Sequence, residues 1–370
     1  MKNWLLISRE CIDSVRRGGI ASANYNHILM LNKNDISVTE LVAKEPMVQN
    51  KTYSKNYSRI ALSLRDYSVK KLFILKVLRR LLYIPYRLNI MFYVLKNHKK
   101  YNVIEVADYG AEGVFLMFFP IIRNKLIVRG HCISSFDRVS NKVRFFSTEY
   151  IFEIVQLMTS KNVVCCSSAL ADVYKNQLGV KSKVIYNPVN IQVKNQTTSN
   201  LNREGILYLG TLSKFKGIDI VLDMTRKYKR NITLAGRLSN KIDINQYSSN
   251  LKYLGLVNKE RVIRLLRQHK VLIVPSRFEN LPMVIIEAMN EGILVVGANN
   301  SGMSELISNG KTGFLYNTED FEDLELTLKK VDELSIDDYK IIVSNAKSNI
   351  NKLTSYEAIY KCWIKFLLRQ

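Results

Sequence analysis

The chain has 370 residues, 47% of them apolar and 24% charged, and its 55 Lys and Arg against 32 Asp and Glu give a formal net charge of +23. That length and apolar content exclude a disordered or fibrous chain and suffice for two domains, each with its own core. The longest uncharged apolar run, residues 113–122, falls far short of the ~18 residues a membrane-spanning helix needs. Five cysteines (Cys11, Cys132, Cys165, Cys166, Cys362) without metal-ligand spacing point to reduced thiols in the cytosol.

The charge is uneven, +17 over residues 1–200 and +6 over residues 201–370. So basic an N-terminal half predicts an anionic partner, either nucleic acid or an acidic membrane surface, and charge alone does not choose between them.

Residues 5–8 read as a first strand entering a Rossmann-like unit, with Arg9 and Glu10 arriving too early for a secretory signal. Gly18 and Gly19 open a predicted helix over 20–31. Glycines there let backbone amides approach an anion at a helix N-terminus, or are simply tolerated at a helix start. Residues 69–100 hold nine Lys or Arg and no acid, interleaved with Leu, Ile, Phe and Tyr. Such a helix can sink an apolar side into a lipid interface among anionic headgroups, or pack that side on the sheet. Pro85 is expected to kink or split it. Residues 103–106 form a strand that delivers the loop ADYGAEG, followed by a helix from Val114. Residues 126–128 form a buried strand ending in Arg129, Gly130 and His131. A histidine at the carboxyl end of a strand stands where cleft residues concentrate, although a lone histidine also serves structural ends. Residues 162–167 and 184–186 complete this half, Asn187 and Pro188 make a turn, and the polar stretch 191–203 reads as a linker.

The second half restarts with a strand over 206–209. Gly210, Lys214, Lys216 and Gly217 follow before a helix, a plausible phosphate seat of cations beside a glycine turn. The strand 232–235 ends in Gly236 and Arg237, where a donor contact and an exposed loop arginine are both open. Residues 251–254 lead into Gly255, Leu256 and Val257. Residues 271–274 are a continuous β-branched run, as expected of a parallel strand buried on both faces. A loop carries Glu279, and Pro282 sits where a helix can begin. Met283, Ile286, Ala288 and Met289 give that helix an apolar side, and Glu287 lies about a turn and a half along it.

The segment SRFENLPMVIIEAM, with its two glutamates spaced E-x7-E, resembles the donor-sugar motif of retaining glycosyltransferases of the GT-B fold, specifically glycosyltransferase family 4. The resemblance implies an α/β GT-B architecture of two Rossmann-like domains facing each other across a cleft. The expected domains are 1–190 on the acceptor side, a linker 191–203, a nucleotide-sugar domain 204–352, and a C-terminal helix 353–370 returning to the first domain. It implies that Glu287 holds the ribose hydroxyls, Glu279 contacts the donor sugar, and the amides of Phe278, Asn280, Leu281 and Pro282 orient it. It further assigns Gly18 and Gly19 to the donor diphosphate, His131 to the transferred sugar, and Val257 to the edge of the nucleotide base. Lys216 matches the second of the family's two diphosphate cations. Thr211 occupies the usual position of the first, with Lys214 in the same loop as a substitute.

No Asp-x-Asp pair occurs, so metal-independent transfer with no cofactor is expected. The implied reaction moves a sugar, with retention, from a nucleotide diphosphate sugar, UDP by family frequency, to a lipid-linked or growing bacterial-type surface polysaccharide. Residues 69–100 would meet an acidic membrane surface, which places the protein on the inner face of the cell membrane. A catalytically silent GT-B subunit is the alternative. A nucleic-acid-binding protein rests on charge alone and has no reader motif.

Overall fold

The computed structural model describes residues 2–11, 13, 19–44, 48–63, 83–131, 136–137, 142–143, 148–190, 203–239, 242 and 250–369. The chain forms two compact units, one of residues 1–190 with 359–370 and the other of residues 191–358.

In unit 1 the strands are β1 (Asn3–Ile7), β2 (Ser37–Lys44), β3 (Lys51–Ser54), β4 (Tyr57–Ser63), β5 (Val103–Ala107), β6 (Leu126–Gly130), β7 (Phe136–Asp137), β8 (Lys142–Val143), β9 (Asn162–Cys165) and β10 (Lys183–Val184). Eight of them make one sheet in the order β10-β9-β6-β5-β1-β2-β4-β3. It is parallel except for β3, which runs antiparallel to β4; β7 and β8 pair separately. β1 lies at the centre, with Leu5 opposite Thr39 of β2 and Ile104 of β5. β5 and β6 are buried along their whole length, as parallel strands covered on both faces must be. Helices Gly19–Lys33, Tyr83–Asn97, Thr148–Thr159 and Ser168–Leu178 belong to this unit. The last is capped by Ser167, which accepts from the Leu170 amide, and is closed by Gly179 in the left-handed region at φ 68°.

Unit 2 has six parallel strands: β11 (Ile206–Leu209), β12 (Ile232–Ala235), β13 (Leu251–Tyr253), β14 (Val271–Val274), β15 (Leu294–Ala298) and β16 (Phe314–Tyr316). Their order, β13-β12-β11-β14-β15-β16, is the doubly wound arrangement that starts at the centre and reverses once. Helices Ile218–Tyr228, Lys259–Gln268, Met283–Asn290, Phe321–Asp332 and Ile336–Thr354 connect and follow these strands.

The chain then re-enters unit 1 with the helix Tyr356–Leu367, whose Trp363 ring lies 5.3 Å from Trp4 and 5.1 Å from His27. Trp363 and Trp4 are each 1% exposed, so this helix completes the unit 1 core.

Several elements differ from the sequence expectation. The strand run β2 to β4 was not expected. Pro85 is the third residue of the helix Tyr83–Asn97, inside the first turn, where its missing amide has no intrahelical acceptor to lose. It therefore causes no kink there; residues 69–82 lie outside the described residues. The helix expected from Val114 is a 3-10 turn, Val114–Phe118, followed by the short helix Pro120–Arg123, because Pro120 cannot continue the first and opens the second. The linker stretch 191–202 also lies outside the described residues.

Candidate active site

The strand order of unit 2 reverses between β11 and β14, which pair from Ile206↔Val271 to Tyr208↔Ile273. Right-handed crossovers send the following helices to opposite faces, and a crevice opens outside the carboxyl ends of the two strands. Residues 210–217 leave β11 there and residues 275–282 leave β14. Across the crevice Lys216 Nζ donates to Glu279 Oε1, and the two side chains are 31% and 16% exposed. The ion pair is therefore reachable from solvent.

Glycines set this approach. Gly217 is left-handed at φ 70°, and a Cβ on it would stand 2.0 Å from the Pro275 carbonyl oxygen. A Cβ on Gly302 would stand 2.0 Å from the Asn280 oxygen and 2.6 Å from the Glu279 oxygen, and its amide donates to that Glu279 oxygen at 2.9 Å. Gly236 packs on Gly210 as closely, at 1.7 Å from a built Cβ to the Gly210 oxygen. Asn300 adds a bond from Nδ2 to the Ser276 oxygen at 2.6 Å.

Arg277 fastens these loops together. Its amide donates to the Phe215 oxygen at 3.1 Å, and its guanidinium holds both oxygens of Asp219 at 2.8 and 2.9 Å, Glu319 Oε2 at 2.7 Å, and the Lys214 carbonyl. A bidentate fork of this kind fixes position as well as charge. Arg277 and Gly302 were missed in the sequence. The only signal for Arg277 was its place beside Phe278 in the motif.

The remaining expected residues of unit 2 are arranged as follows. Glu287 is the fifth residue of the helix Met283–Asn290, half-buried, and its carboxylate makes no hydrogen bond or ion pair among the described residues. Burial pushes its carboxyl above the usual range, with Lys259 opposing. Pro282 is the residue before that helix rather than its first, and the helix has no side-chain cap. The Phe278, Leu281 and Pro282 side chains are buried, which leaves backbone as what they can offer a ligand. Asn280 and Val257 are half-buried. Lys214 and Arg237 are exposed and pair with no acid among the described residues. The Thr211 carbonyl accepts from Tyr208 Oη at 2.9 Å, and the Gly236 carbonyl from Tyr253 Oη at 2.9 Å.

In unit 1, His131 follows β6 directly. Its amide donates to Asp108 Oδ1 at 2.9 Å, and Asp108 also accepts from the Tyr109 amide at 2.8 Å and from Tyr174 Oη. Burial, and then Arg129, push the imidazole down to about 3, so the ring is neutral at pH 7. Beneath it a buried ionic network crosses the sheet, in which Arg129 Nε and His27 Nδ1 have no hydrogen-bond partner among the described residues. Arg129 donates to Glu105 Oε1 at 3.1 Å and to Asn187 Oδ1 at 2.9 Å. Glu105 Oε2 takes Trp4 Nε1 at 3.0 Å and lies 3.1 Å from His27 Nε2. Burial opposes the Glu105 charge, but His27 and Arg129 outweigh it and hold the carboxyl at about 2. Gly19 is exposed as the first residue of the helix Gly19–Lys33, and Gly18 lies outside the described residues.

Residues 190–349 match the family of glycosyl transferases group 1. The chain is 26% identical to an uncharacterised 41.2 kDa protein from the cps region of Klebsiella pneumoniae, over 75% of this chain and 84% of that one. It is 22% identical to WcaL of Salmonella typhimurium, provisionally named a colanic acid biosynthesis glycosyltransferase, over 69% and 67% of the two chains. Among solved structures it resembles sucrose-phosphate synthase of Thermosynechococcus elongatus, with a TM-score of 0.78, 15% identity and full coverage of both chains. It also resembles HepE of Anabaena, solved with UDP-glucose, with a TM-score of 0.73, 16% identity and full coverage of both. Residues 190–349 match the glycosyl transferases group 1 family, and the chain has the GT-B fold.

Proposed function

We propose that the chain is a retaining, family 4 glycosyltransferase that moves a sugar from a nucleotide diphosphate sugar, UDP-linked, to a lipid-linked or growing surface polysaccharide. The observation that carries the reading is the solvent-reachable Lys216–Glu279 pair at the β11/β14 crevice, with the carboxylate of half-buried Glu287 unpaired among the described residues. A sugar–diphosphate bond breaks when charge on the departing diphosphate is stabilised, and a preplaced cation with backbone amides does so without reorganisation. Lys216 and the uncapped start of the helix Met283–Asn290 supply this, with no metal required. Glu287 then binds the ribose hydroxyls, Glu279 contacts the sugar, and neutral His131 hydrogen-bonds it. The leaving phosphate oxygen accepts the acceptor proton, so no protein nucleophile is used. HepE, solved with UDP-glucose, and the relatives from cps and colanic acid contexts support the donor and acceptor classes.

Membrane attachment is part of this proposal. Phe92, Phe118, Ile121, Ile151 and Met158 are all more than half exposed, on unit 1 segments packed around the turn Val114–Phe118. Exposed apolar side chains beside so basic a sequence suit an anionic lipid interface. Among the described residues no helix is long and apolar enough to cross a membrane.

Calorimetric titration with UDP, GDP and ADP tests the donor site. Binding of one nucleotide that Glu287→Ala abolishes is the expected result. No binding by folded protein would leave a silent GT-B subunit, the reading that Thr211 favours. Co-sedimentation with phosphatidylglycerol vesicles but not phosphatidylcholine vesicles is expected for the membrane surface.

A further inference from the structure

Unit 1 also reverses its strand order, between β1 and β5, and the same topological argument opens a crevice at their carboxyl ends. A small cavity of about 20 Å³ lies there, lined by Arg9 after β1, by Tyr109 and Glu112 after β5, and by Tyr83, Tyr86 and Glu153 from flanking helices. Two of its polar side chains are 3% exposed and lack a hydrogen-bond partner at the buried atom: Glu112 at Oε2 and Tyr86 at its hydroxyl. A buried polar group left without a partner is costly, so an occupant that bonds both is strongly favoured.

Other polar groups of the wall hold one another or the backbone. Arg9 donates to Tyr83 Oη and covers that ring at 4.4 Å. Arg87 spends Nε and Nη2 on the Gly110 carbonyl at 3.1 and 2.6 Å, and Glu153 accepts from the Gly110 amide at 2.9 Å. Among the described lining residues, the buried polar atoms without a partner are one carboxyl oxygen of Glu112 and the Tyr86 phenol. Burial pushes the Glu112 carboxyl up to about 8 against the pull of Arg9 and Arg87, so at pH 7 it is neutral and can donate or accept. The volume admits one oxygen, since a water needs roughly 10–15 Å³, and excludes a phosphate with its four. Tyr109, 36% exposed, gives the lining an aromatic face of the kind on which sugar rings rest their C–H surfaces. The loop is anchored by Asp108, the residue that holds the His131 amide.

We propose that this cavity seats one hydroxyl group of a sugar in the acceptor glycan, with Tyr86 and Glu112 as its hydrogen-bond partners. The proposal rests on the transferase reading above and adds to it two residues that choose the acceptor.

The test uses the full chain and saturation-transfer NMR titrations with octyl β-glycosides of glucose, galactose, mannose and N-acetylglucosamine. At least one glycoside is expected to bind, and Tyr86→Phe and Glu112→Ala to weaken it about tenfold, the loss expected of one hydrogen bond. Glu112→Gln, which keeps a neutral donor and acceptor, should retain wild-type affinity at pH 7. Single-deoxy analogues then identify the seated hydroxyl, because the analogue lacking it should bind wild type and Tyr86→Phe alike. Equal affinities in all four proteins would overturn the proposal and leave the cavity to a water, and so would the absence of binding by any glycoside. A UDP titration of the wild type reads the transferase proposal separately, so that either can fail alone.

Discussion

Both units open a crevice where their strand order reverses, yet they fill it differently. At β11/β14 a cation and a carboxylate meet in reach of solvent, held by loops that approach only because Gly217 and Gly302 lack a Cβ. At β1/β5 the polar groups are buried around a cavity for one oxygen, and a strand away Glu105 and Arg129 form a network whose charges are almost all matched. The contrast separates two uses of buried charge. A buried network of matched charges specifies the fold, whereas an open pair keeps stored electrostatic field available to a ligand.

Breaking the buried network should have the largest effect on stability. Arg129→Met leaves the Glu105 carboxylate buried without its guanidinium, an expected loss of about 3–5 kcal/mol by chemical denaturation. A loss below ~1 kcal/mol would mean that the network contributes little to holding the unit together. Gly302→Ala should come next, at about 1–3 kcal/mol from the forced shift of the Glu279–Asn280 backbone, with nucleotide affinity lost alongside.

The two buried carboxyls give a pH test with opposite signs. Glu105, held at about 2 against an ordinary 4.5, contributes stability that is present above 4.5 and is lost as pH falls toward 2. Glu112, pushed up to about 8 from 4.5, contributes most below 4.5 and loses its contribution as pH rises through 8. Urea midpoints at pH 5, 7 and 8.5 should therefore fall more steeply in wild type than in Glu112→Gln, and parallel curves would contradict that assignment. The smallest change in stability is expected from Lys216→Ala, under ~1 kcal/mol for a partly exposed pair. Transfer activity should nevertheless drop about 10²-fold if the lysine meets the departing diphosphate.

The sequence was legible where one physical rule acted alone. Residues 206–209, 232–235 and 271–274 were expected as strands and are strands, and in 271–274, buried along its whole length, the apolar run is unbroken as burial on both faces demands. β2 was hidden because Glu40 lies inside it, 1% exposed and bonded to Arg59 Nε at 2.6 Å and Tyr57 Oη at 2.7 Å, so its pattern reads as surface. At the candidate site, Glu279 and Lys216 were each visible in a motif, but their ion pair joins loops 63 residues apart and needs the fold to be seen. Arg277, Gly302, Tyr86 and Glu112 matter only through such long-range neighbours, which no local spacing encodes.

The return of the helix Tyr356–Leu367 to unit 1 sets an order of events on the ribosome. Trp363 closes over Trp4 and His27, so the core begun by the first strand to be synthesised is sealed only after residues 191–358 have been made. At roughly 5–20 residues per second that interval is on the order of ten to thirty seconds. Throughout it the β1 tryptophan waits uncovered while unit 2, continuous in sequence, can finish first, which makes the nascent first half the natural client of a chaperone.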